Sequence, residues 1–570
     1  MSVEIRAALL QQAFPIDARQ LGDTVLIGRG LEPPEVANEV ARPQVYALQN
    51  MLPTQRGWCS VHYATALDGY TYPVYLEQVV QLRDGIGRTA LCGVSGDSLY
   101  VYSSGTQVWT RVSLGTPLQR GPLTTATLRG QTYLCVARVG LYKYNFDTET
   151  MEVQTVVGIA DFADILGTSA AGNHLLLISA DLFFWSDPVD PLEFTPAAGS
   201  AGSTGIAANR SSLTAIIPLG DAVVAYTTLN AVYCAYTGNV NAPFAFREIA
   251  DSAGVAGPEH VSGDVASGEH IAWTYSGMQR VSAQRAEQAW PELSDSIAAG
   301  LITYIGDATY PVTLQYDRLD VKISTVGTRY VLFSVRGAEA TASQYPVAYV
   351  FDRALERFGR LDAPHCDVIE YRVAEYSRYL TIDSLVLPID SYTGAIDELR
   401  EEVTAQEPAF GSMFALVGRT GEVYIALPAS LRNVAQYVTD EFATPCMVLG
   451  KYKLTRGATV RMESLQLQSQ YSDATLAILC NDASGEYTRS VVPTASLREP
   501  GRYTVRATGH GVSVKISGVL NVSALSFELS VAGNALAPVA AASTTVESTD
   551  YMTIFGVPVT IGGEYVVSPS

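Results

Sequence analysis

The sequence predicts an all-β chain: a β-propeller with an inserted segment and a C-terminal β-sandwich-like domain. Three observations predict it. Between about residue 70 and residue 445, strand signals recur every 8–12 residues and group into units of about 40–55 residues, the period of propeller blades. The composition, with 47 Gly, 32 Tyr and only 16% charged residues, favours strands and tight turns over long helices. After Cys446 the pattern changes to strict alternation, as in Ser464-Leu465-Gln466-Leu467-Gln468, which suits a compact antiparallel sandwich.

In order, residues 1–65 read as an extended N-terminal arm. A short amphipathic helix fits Val3–Gln12, and Pro15, Pro33, Pro34, Pro43 and Pro53 then break regular structure. Leu26, Ile27, Val45 and Tyr46 give the arm apolar anchors for lying against other domains or subunits. Residues 66–445 form the propeller, with about six blades expected. Within it, 297–320 reads as a connector. The acidic insertion 376–410 carries Asp383, Asp390, Asp397, Glu398, Glu401, Glu402 and Glu407, with helical spacing at Ala395–Val403. An excursion of this kind is either a working loop or a solvated helical hairpin. Residues 446–535 form the sandwich, with turns at Asp482–Gly485, Glu499–Gly501 and Gly509–Gly511. Residues 536–570 form a tail with one late strand pair around Met552–Val567.

The stretch 175–295 shows the repeat best. Three apolar, aromatic-rich runs each climb to a turn, and twice a phrase of Asp or Asn, then Pro, then Phe three residues after the Pro follows: Asp190, Pro191, Phe194, then Asn241, Pro243, Phe246. Its mechanical reading is that Asp or Asn starts a turn, Pro fixes φ, and Phe closes the loop onto the sheet.

No catalytic constellation is legible, and the expectation is a protein that is not an enzyme, with no catalytic, cofactor-binding or metal residues and no cofactor. The six His (62, 174, 260, 270, 365, 510) have no metal-ligand spacing and read as structural. The seven Cys (59, 92, 135, 234, 366, 446, 480) lie outside CxxC spacing, mostly in apolar runs, and read as buried reduced thiols. No nucleophile elbow, phosphate loop or dinucleotide fingerprint occurs. Carboxylate pairs for glycoside hydrolysis are too common in so acidic a chain to signify. The hairpin Asn481–Ser490 is similar to the Asp-box turn of sialidases, but its Ser and Trp positions fail and it reads as a turn built on Asp482 and Gly485. Tyr142, Tyr144, Phe183, Phe184, Trp185, Tyr233, Tyr236, Trp273 and Tyr275 read as core and blade-to-blade packing ahead of sugar or base stacking.

The formal charge of −20 opposes phosphate-driven DNA binding. An acidic wall that DNA slides past, or plain solubility, fits it. No secretion signal is evident at the N-terminus and no apolar run is long enough for a membrane span.

A family resemblance adds to this. Trp185-Ser186-Asp187-Pro188 with Pro191 and Phe194 is similar to a phrase in the tail nozzle, or tail tubular (packaged-DNA-stabilisation), proteins of short-tailed bacteriophages. The same order of motifs continues through Gly220-Asp221, Tyr233, Tyr236, Thr237-Gly238 and Pro243-Phe244-Ala245-Phe246. It runs on through Gly254, Ala256, Pro258, Trp273, Ser276-Gly277, Met278 and Leu293-Ser294-Asp295. Val350-Phe351-Asp352-Arg353 and Arg357-Phe358-Gly359-Arg360-Leu361-Asp362 also resemble the family, with Phe358 where Trp is usual. The resemblance spans roughly 45–530, including the Arg506, Thr508-Gly509 turn of the sandwich. It implies a structural virion protein, assembled in the host cytoplasm into a homo-oligomeric ring, usually a hexamer, below the portal and adaptor proteins. Such a ring is a conduit that retains and then passes the genome, with DNA moving non-specifically through the lumen, and it docks tail fibres or spikes. The acidic insertion is then the candidate lumen or gate loop. The alternative is a carbohydrate-binding or glycan-degrading propeller tail protein; a scaffold propeller without a virus link is a third reading.

Overall fold

The computed structural model describes residues 45–54, 58–65, 75–103, 108–113, 122–197, 201–206, 211–239, 241–264, 268–305, 311–337, 344–371, 413–428 and the strands of 446–532, with a few short strands elsewhere. Within these residues the chain is a seven-bladed β-propeller to which a β-sandwich is fused.

Five blades are separate four-stranded antiparallel sheets. Blade 1 is Gln78–Arg83, Thr89–Ser95, Ser98–Ser103 and Val108–Val112. Blade 2 is Leu123–Leu128, Gln131–Val136, Gly140–Asn145 and Thr150–Gln154. Blade 3 is Gly167–Ala171, His174–Ile178, Phe183–Trp185 and Gly202–Thr204. Blade 4 is Leu213–Leu219, Ala222–Thr227, Ala231–Tyr236 and Phe244–Glu248. Blade 5 is Val261–Asp264, Glu269–Thr274, Gly277–Ser282 and Ala286–Gln288. Blades 6 and 7 belong to a larger, fifteen-stranded sheet. Blade 6 is Leu319–Val326, Tyr330–Gly337, Val347–Asp352 and Arg357–Leu361. Blade 7 takes Asp367–Tyr371, Met413–Val417 and Val423–Pro428, and completes itself with Trp58–Thr65 from near the N-terminus. The first strand of each blade packs on the first strand of the next, and that of blade 7 packs on that of blade 1, so the wheel closes.

Strand patterning follows from this arrangement. A blade is covered on both faces, so its middle strands carry apolar residues at consecutive positions, where a half-exposed strand would alternate. In His174–Ile178, Leu175 and Leu177 face blade 2, while Leu176 and Ile178 face blade 4. In Gln131–Val136, Leu134 and Val136 face blade 1, while Tyr133 and Cys135 face blade 3. Seven buried apolar clusters of this kind, one per blade interface, hold the wheel. The hairpins need tight turns that match strand twist. Arg129 and Gly130, at φ 53° and 75°, supply the two left-handed residues of such a turn in blade 2.

The sandwich packs Arg502–Gly509, Thr459–Ser469 and Asn521–Ala532 in one sheet against a second sheet of Val45–Gln49, Cys446–Lys453, Gly511–Ser517, Thr475–Asn481 and Tyr487–Val491. Residues 45–65 thread the whole molecule. Val45–Gln49 forms the edge of the second sandwich sheet, Met51–Pro53 bridges to the outer edge of blade 6, and Trp58–Thr65 closes blade 7. Trp58 and Cys59 also pair with Val522 and Asn521, making propeller and sandwich one continuous sheet.

Several expectations are corrected. The blades number seven, and strand Trp58–Thr65 is a blade strand outside the arm. The connector begins earlier than 297, with helix Pro291–Ala298, and continues as the hairpin Leu301–Ile305 and Pro311–Gln315. Pro sits at the helix start, where its missing N–H costs nothing. Leu293 and Ile297 bury the helix against blades 5 and 6 and the sandwich. Val3–Glu4, expected in a helix, pairs as a strand with Val531 and Ser530, because the exposed edge of Asn521–Ala532 offers it a ladder. Arg400–Val403, also expected in a helix, pairs antiparallel with Tyr376–Tyr379. The tail shows two short strand pairs, Thr553–Ile554 with Val557–Pro558 and Thr560–Ile561 with Glu564–Tyr565. The rest of Val3–Gln12, the remainder of 376–410 and the turn Asp482–Gly485 lie outside the described residues.

Candidate functional site: the inner ring and the two turn faces

The inner ring is stitched from blade to blade by polar side chains. Gln81 of blade 1 and Glu370 of blade 7 form a side-chain imitation of a β-bridge: Gln81 Nε2 donates to Glu370 O at 2.7 Å, and Glu370 N–H donates to Gln81 Oε1 at 3.1 Å. Arg83 adds an ion pair to the Glu370 carboxylate. Thr132 and Thr127 of blade 2 donate to Arg83 O of blade 1. Thr168 N–H of blade 3 donates to Thr124 Oγ1 of blade 2. Ser262 of blade 5 bonds Thr325 of blade 6 through both hydroxyl and backbone, and Lys322 pairs with buried Asp367 at 2.6 Å between blades 6 and 7. The buried members of this set, among them Thr132, Thr168 and Asp367, find here the partners that the closed wheel denies them in water.

Three histidines work the same way. His270 Nε2–H donates to Pro218 O of blade 4 at 2.8 Å, and its Nδ1 accepts from Tyr226 Oη at 2.9 Å. His365 Nδ1–H donates to Ala363 O at 2.7 Å, and its Nε2 accepts from Ser334 Oγ at 2.8 Å. His260 bonds Val321 O of blade 6. Burial disfavours the charged imidazolium and lowers both His270 and His365 to about 4, against smaller opposing contributions from the carbonyls they bond. Unfolded, each titrates near 6.5. Between those values the unfolded chain binds protons that the folded chain refuses, so stability falls as pH is lowered. The contribution is complete above pH 6.5 and is lost as pH drops toward 4, up to about 3 kcal/mol per residue. The thermal midpoint should therefore decline through this window in differential scanning fluorimetry; a flat profile from pH 7 to 4.5 would contradict the assignment.

The turn phrases sit between the third and fourth strands of their blades. In blade 3, Asp187 Oδ1 accepts from Val189 N–H at 2.6 Å and Asp190 Oδ1 accepts from Leu192 N–H at 3.0 Å, while Phe194 is buried between blades 2 and 3. Ser186 Oγ accepts from Leu175 N–H, and Ser186 O bonds His174 Nδ1. The mechanical reading fits this loop closely. In blade 4 it shifts: Asn239, not Asn241, starts the turn, its Oδ1 accepting from Asn241 N–H at 3.0 Å. There Phe244 is buried and Phe246 is only partly so, because Phe244 lands where His174, Phe183, Trp185 and Tyr236 form an aromatic cluster.

On the same face a concavity of about 570 Å³ is lined by Thr127, Leu128 and Arg129 of blade 2, Ala170–Gly172 of blade 3, and Gly220, Asp221 and Tyr236 of blade 4. Arg129 Nη1 donates to Val189 O at 3.0 Å, tying a turn of blade 2 to one of blade 3. Arg88 of blade 1 likewise pairs with Asp147 of blade 2 at 2.6 Å. The acidic insertion leaves blade 7 between its first two strands, on this face. Among the described residues there is no group of three or more His, Cys, Asp or Glu placed to hold a metal ion. All seven Cys are buried. Sequence reasoning missed the stitching residues Gln81, Glu370, Lys322 and Asp367, since pairs that meet only across a blade interface leave no local signal.

The class this defines is a seven-bladed propeller carrying a covalently continuous sandwich. No protein-family model matches the chain, and no curated protein matches it. Among solved structures, the extracellular domain of a one component system from B. thetaiotaomicron aligns at 9% identity and TM-score 0.38, covering 81% of this chain and 58% of that one. The β-propeller domain of Myceliophteria thermophila Cps50 (Swd1) aligns at 10% identity and TM-score 0.35, covering 63% of this chain and 98% of that one. The extracellular domain of a hybrid two component system from B. thetaiotaomicron aligns at 9% identity and TM-score 0.35, covering 85% and 62%. The chain thus spans less than two thirds of the length of both extracellular domains. No helix among the described residues is long and apolar enough to cross a membrane.

Proposed function

We propose that this chain is a structural virion protein of the tail nozzle class, a wall subunit that forms a ring, usually of six, around the path by which a genome is held and then released. The supporting observation is mechanical: described strands within residues 45–65 join sandwich, blade 6 and blade 7 into one hydrogen-bonded sheet, so load on either part passes through backbone ladders. The ordered turn phrases of blades 3 and 4, which resemble the nozzle family, add to this. In this reading portal and adaptor proteins lie above the ring, fibres or spikes dock on it, and DNA passes through without sequence-specific contact. The −20 charge limits adhesion of phosphates to the wall.

Electron microscopy and mass photometry of the purified full chain test the proposal. A closed ring without glycanase activity is the expected result. A monomer or trimer that cleaves surface polysaccharide would overturn it in favour of a glycan-degrading tail protein.

A further inference from the structure

Three successive blades place a hydroxyl residue at, or directly after, the end of their second strand, where it locks the next turn. In blade 3, Ser179 Oγ accepts from Leu182 N–H at 3.1 Å, and Ser179 N–H donates to Leu182 O at 2.9 Å. In blade 4, Thr227 Oγ1 accepts from Leu229 N–H at 3.0 Å and from Asn230 N–H at 2.9 Å. In blade 5, Thr274 Oγ1 accepts from Ser276 N–H at 3.2 Å and donates to Gly277 O at 2.7 Å. Each locked turn holds a large apolar side chain out in solvent: Leu182 is 38% exposed, Leu229 59% and Tyr275 66%.

The three turns are also fixed to one another. Leu213 N–H donates to Ala180 O, Thr228 N–H to Ser212 O, Val255 N–H to Thr227 O and Tyr275 N–H to Gly254 O. This backbone path runs from the turn of blade 3 through the linkers entering blades 4 and 5 to the turn of blade 5. The apolar tips are therefore positioned before any partner arrives, which lowers the ordering cost of binding. The segments that carry them are acidic, and the exposed Arg138 of the adjoining blade 2 turn, whose backbone N–H donates to Ile165 O, is a cation beside them. The same turns and the linkers entering blades 3, 4 and 5 carry Asp161, Asp164, Asp181, Asp251 and Glu259, and no Lys or Arg among the described residues. Arg210, in the linker entering blade 4, lies outside the described residues.

We propose that the tips Leu182, Leu229 and Tyr275 form a docking surface for a partner protein segment whose apolar side chains are flanked by Lys or Arg. Apolar contact supplies the anchor, and the surrounding carboxylates select a basic partner over an acidic one. The surface goes beyond the wall function and does not depend on ring formation.

Fluorescence anisotropy on the full chain tests it, with a labelled synthetic peptide alternating Leu and Lys. Two controls replace Leu by Ser or Lys by Glu. Wild type is expected to bind the Leu/Lys peptide about tenfold or more tightly than either control. The variant Leu182→Ser/Leu229→Ser/Tyr275→Ser should lose that preference. Ile86→Ser/Val189→Ser, which removes exposed apolar residues from the opposite turn face, should keep it. Equal binding of the Ser/Lys peptide would mean charge alone and overturn the proposal, as would an unchanged triple variant or an equal loss in the opposite-face variant. Self-association abolished by the triple substitution would make the occupant a second copy of the chain, and would also overturn it.

Discussion

Trp58→Ala is expected to lower the unfolding free energy by about 3–5 kcal/mol, the range for emptying a fully buried aromatic site. Trp58 opens the closing strand of blade 7 and is among the largest fully buried side chains. Its indole N–H donates to Phe358 O on the outer strand of blade 6 at 3.0 Å, and the Arg357 guanidinium lies 5.7 Å from its ring. Its backbone pairs with Pro53 and with Val522 of the sandwich. One side chain thus supports the closure of the wheel and the seam to the sandwich. Urea denaturation followed by circular dichroism measures the loss. Trp58→Phe keeps most of the ring and leaves only the Phe358 carbonyl short of a donor, so it should cost about 1–3 kcal/mol. Equal costs for the two variants would show that the lost hydrogen bond, rather than the cavity, carries the destabilisation.

The second large effect is expected at Arg360. Its fully buried guanidinium holds Asp362 through Nε–Oδ1 at 2.5 Å and Nη2–Oδ2 at 3.0 Å, and a further N–H donates to Thr303 O in the inserted hairpin. Tyr304 and Tyr349 flank it at 5.5 and 5.7 Å. Asp362 N–H in turn donates to Asn50 Oδ1 at 2.8 Å, and Tyr63 Oη donates to the same oxygen at 2.6 Å. This network ties blade 6 to the hairpin and to the N-terminal thread. Arg360→Met strands the Asp362 carboxylate in the interior and should destabilise by about 3–5 kcal/mol. Arg360→Met/Asp362→Leu removes both charges, and should recover at least half of that loss in the same denaturation assay. A double variant as unstable as the single one would mean that the lost hydrogen bond to Thr303, rather than the stranded charge, carries the cost.

Much of this architecture was readable from local pattern. The run His174–Ile178 announces a strand buried on both faces, and the phrase Asp190, Pro191, Phe194 announces a turn that docks an aromatic ring. Both readings follow from side-chain period and turn chemistry, which act over a few residues. The seventh blade was not readable. Its first strand is cut from its second by the acidic insertion, and its outer strand is borrowed from Trp58–Thr65, so no repeat unit appears in the sequence there. The Leu182, Leu229 and Tyr275 tips were hidden for a different reason. Tyr275 read as packing, because an aromatic residue after a strand looks the same whether its turn folds inward or out.

Strand period and turn residues are local properties, and they are enough to set the all-β character, the repeat of units of three or four short strands and the change to a sandwich after Cys446. How the wheel closes, which residues stitch neighbouring blades, and how residues 45–65 weld propeller to sandwich are settled by contacts between distant parts of the chain. Those contacts join positions as far apart as Gln81 and Glu370 or Trp58 and Phe358. They form only when the ring meets itself, at a loop-closure cost that the buried blade interfaces offset.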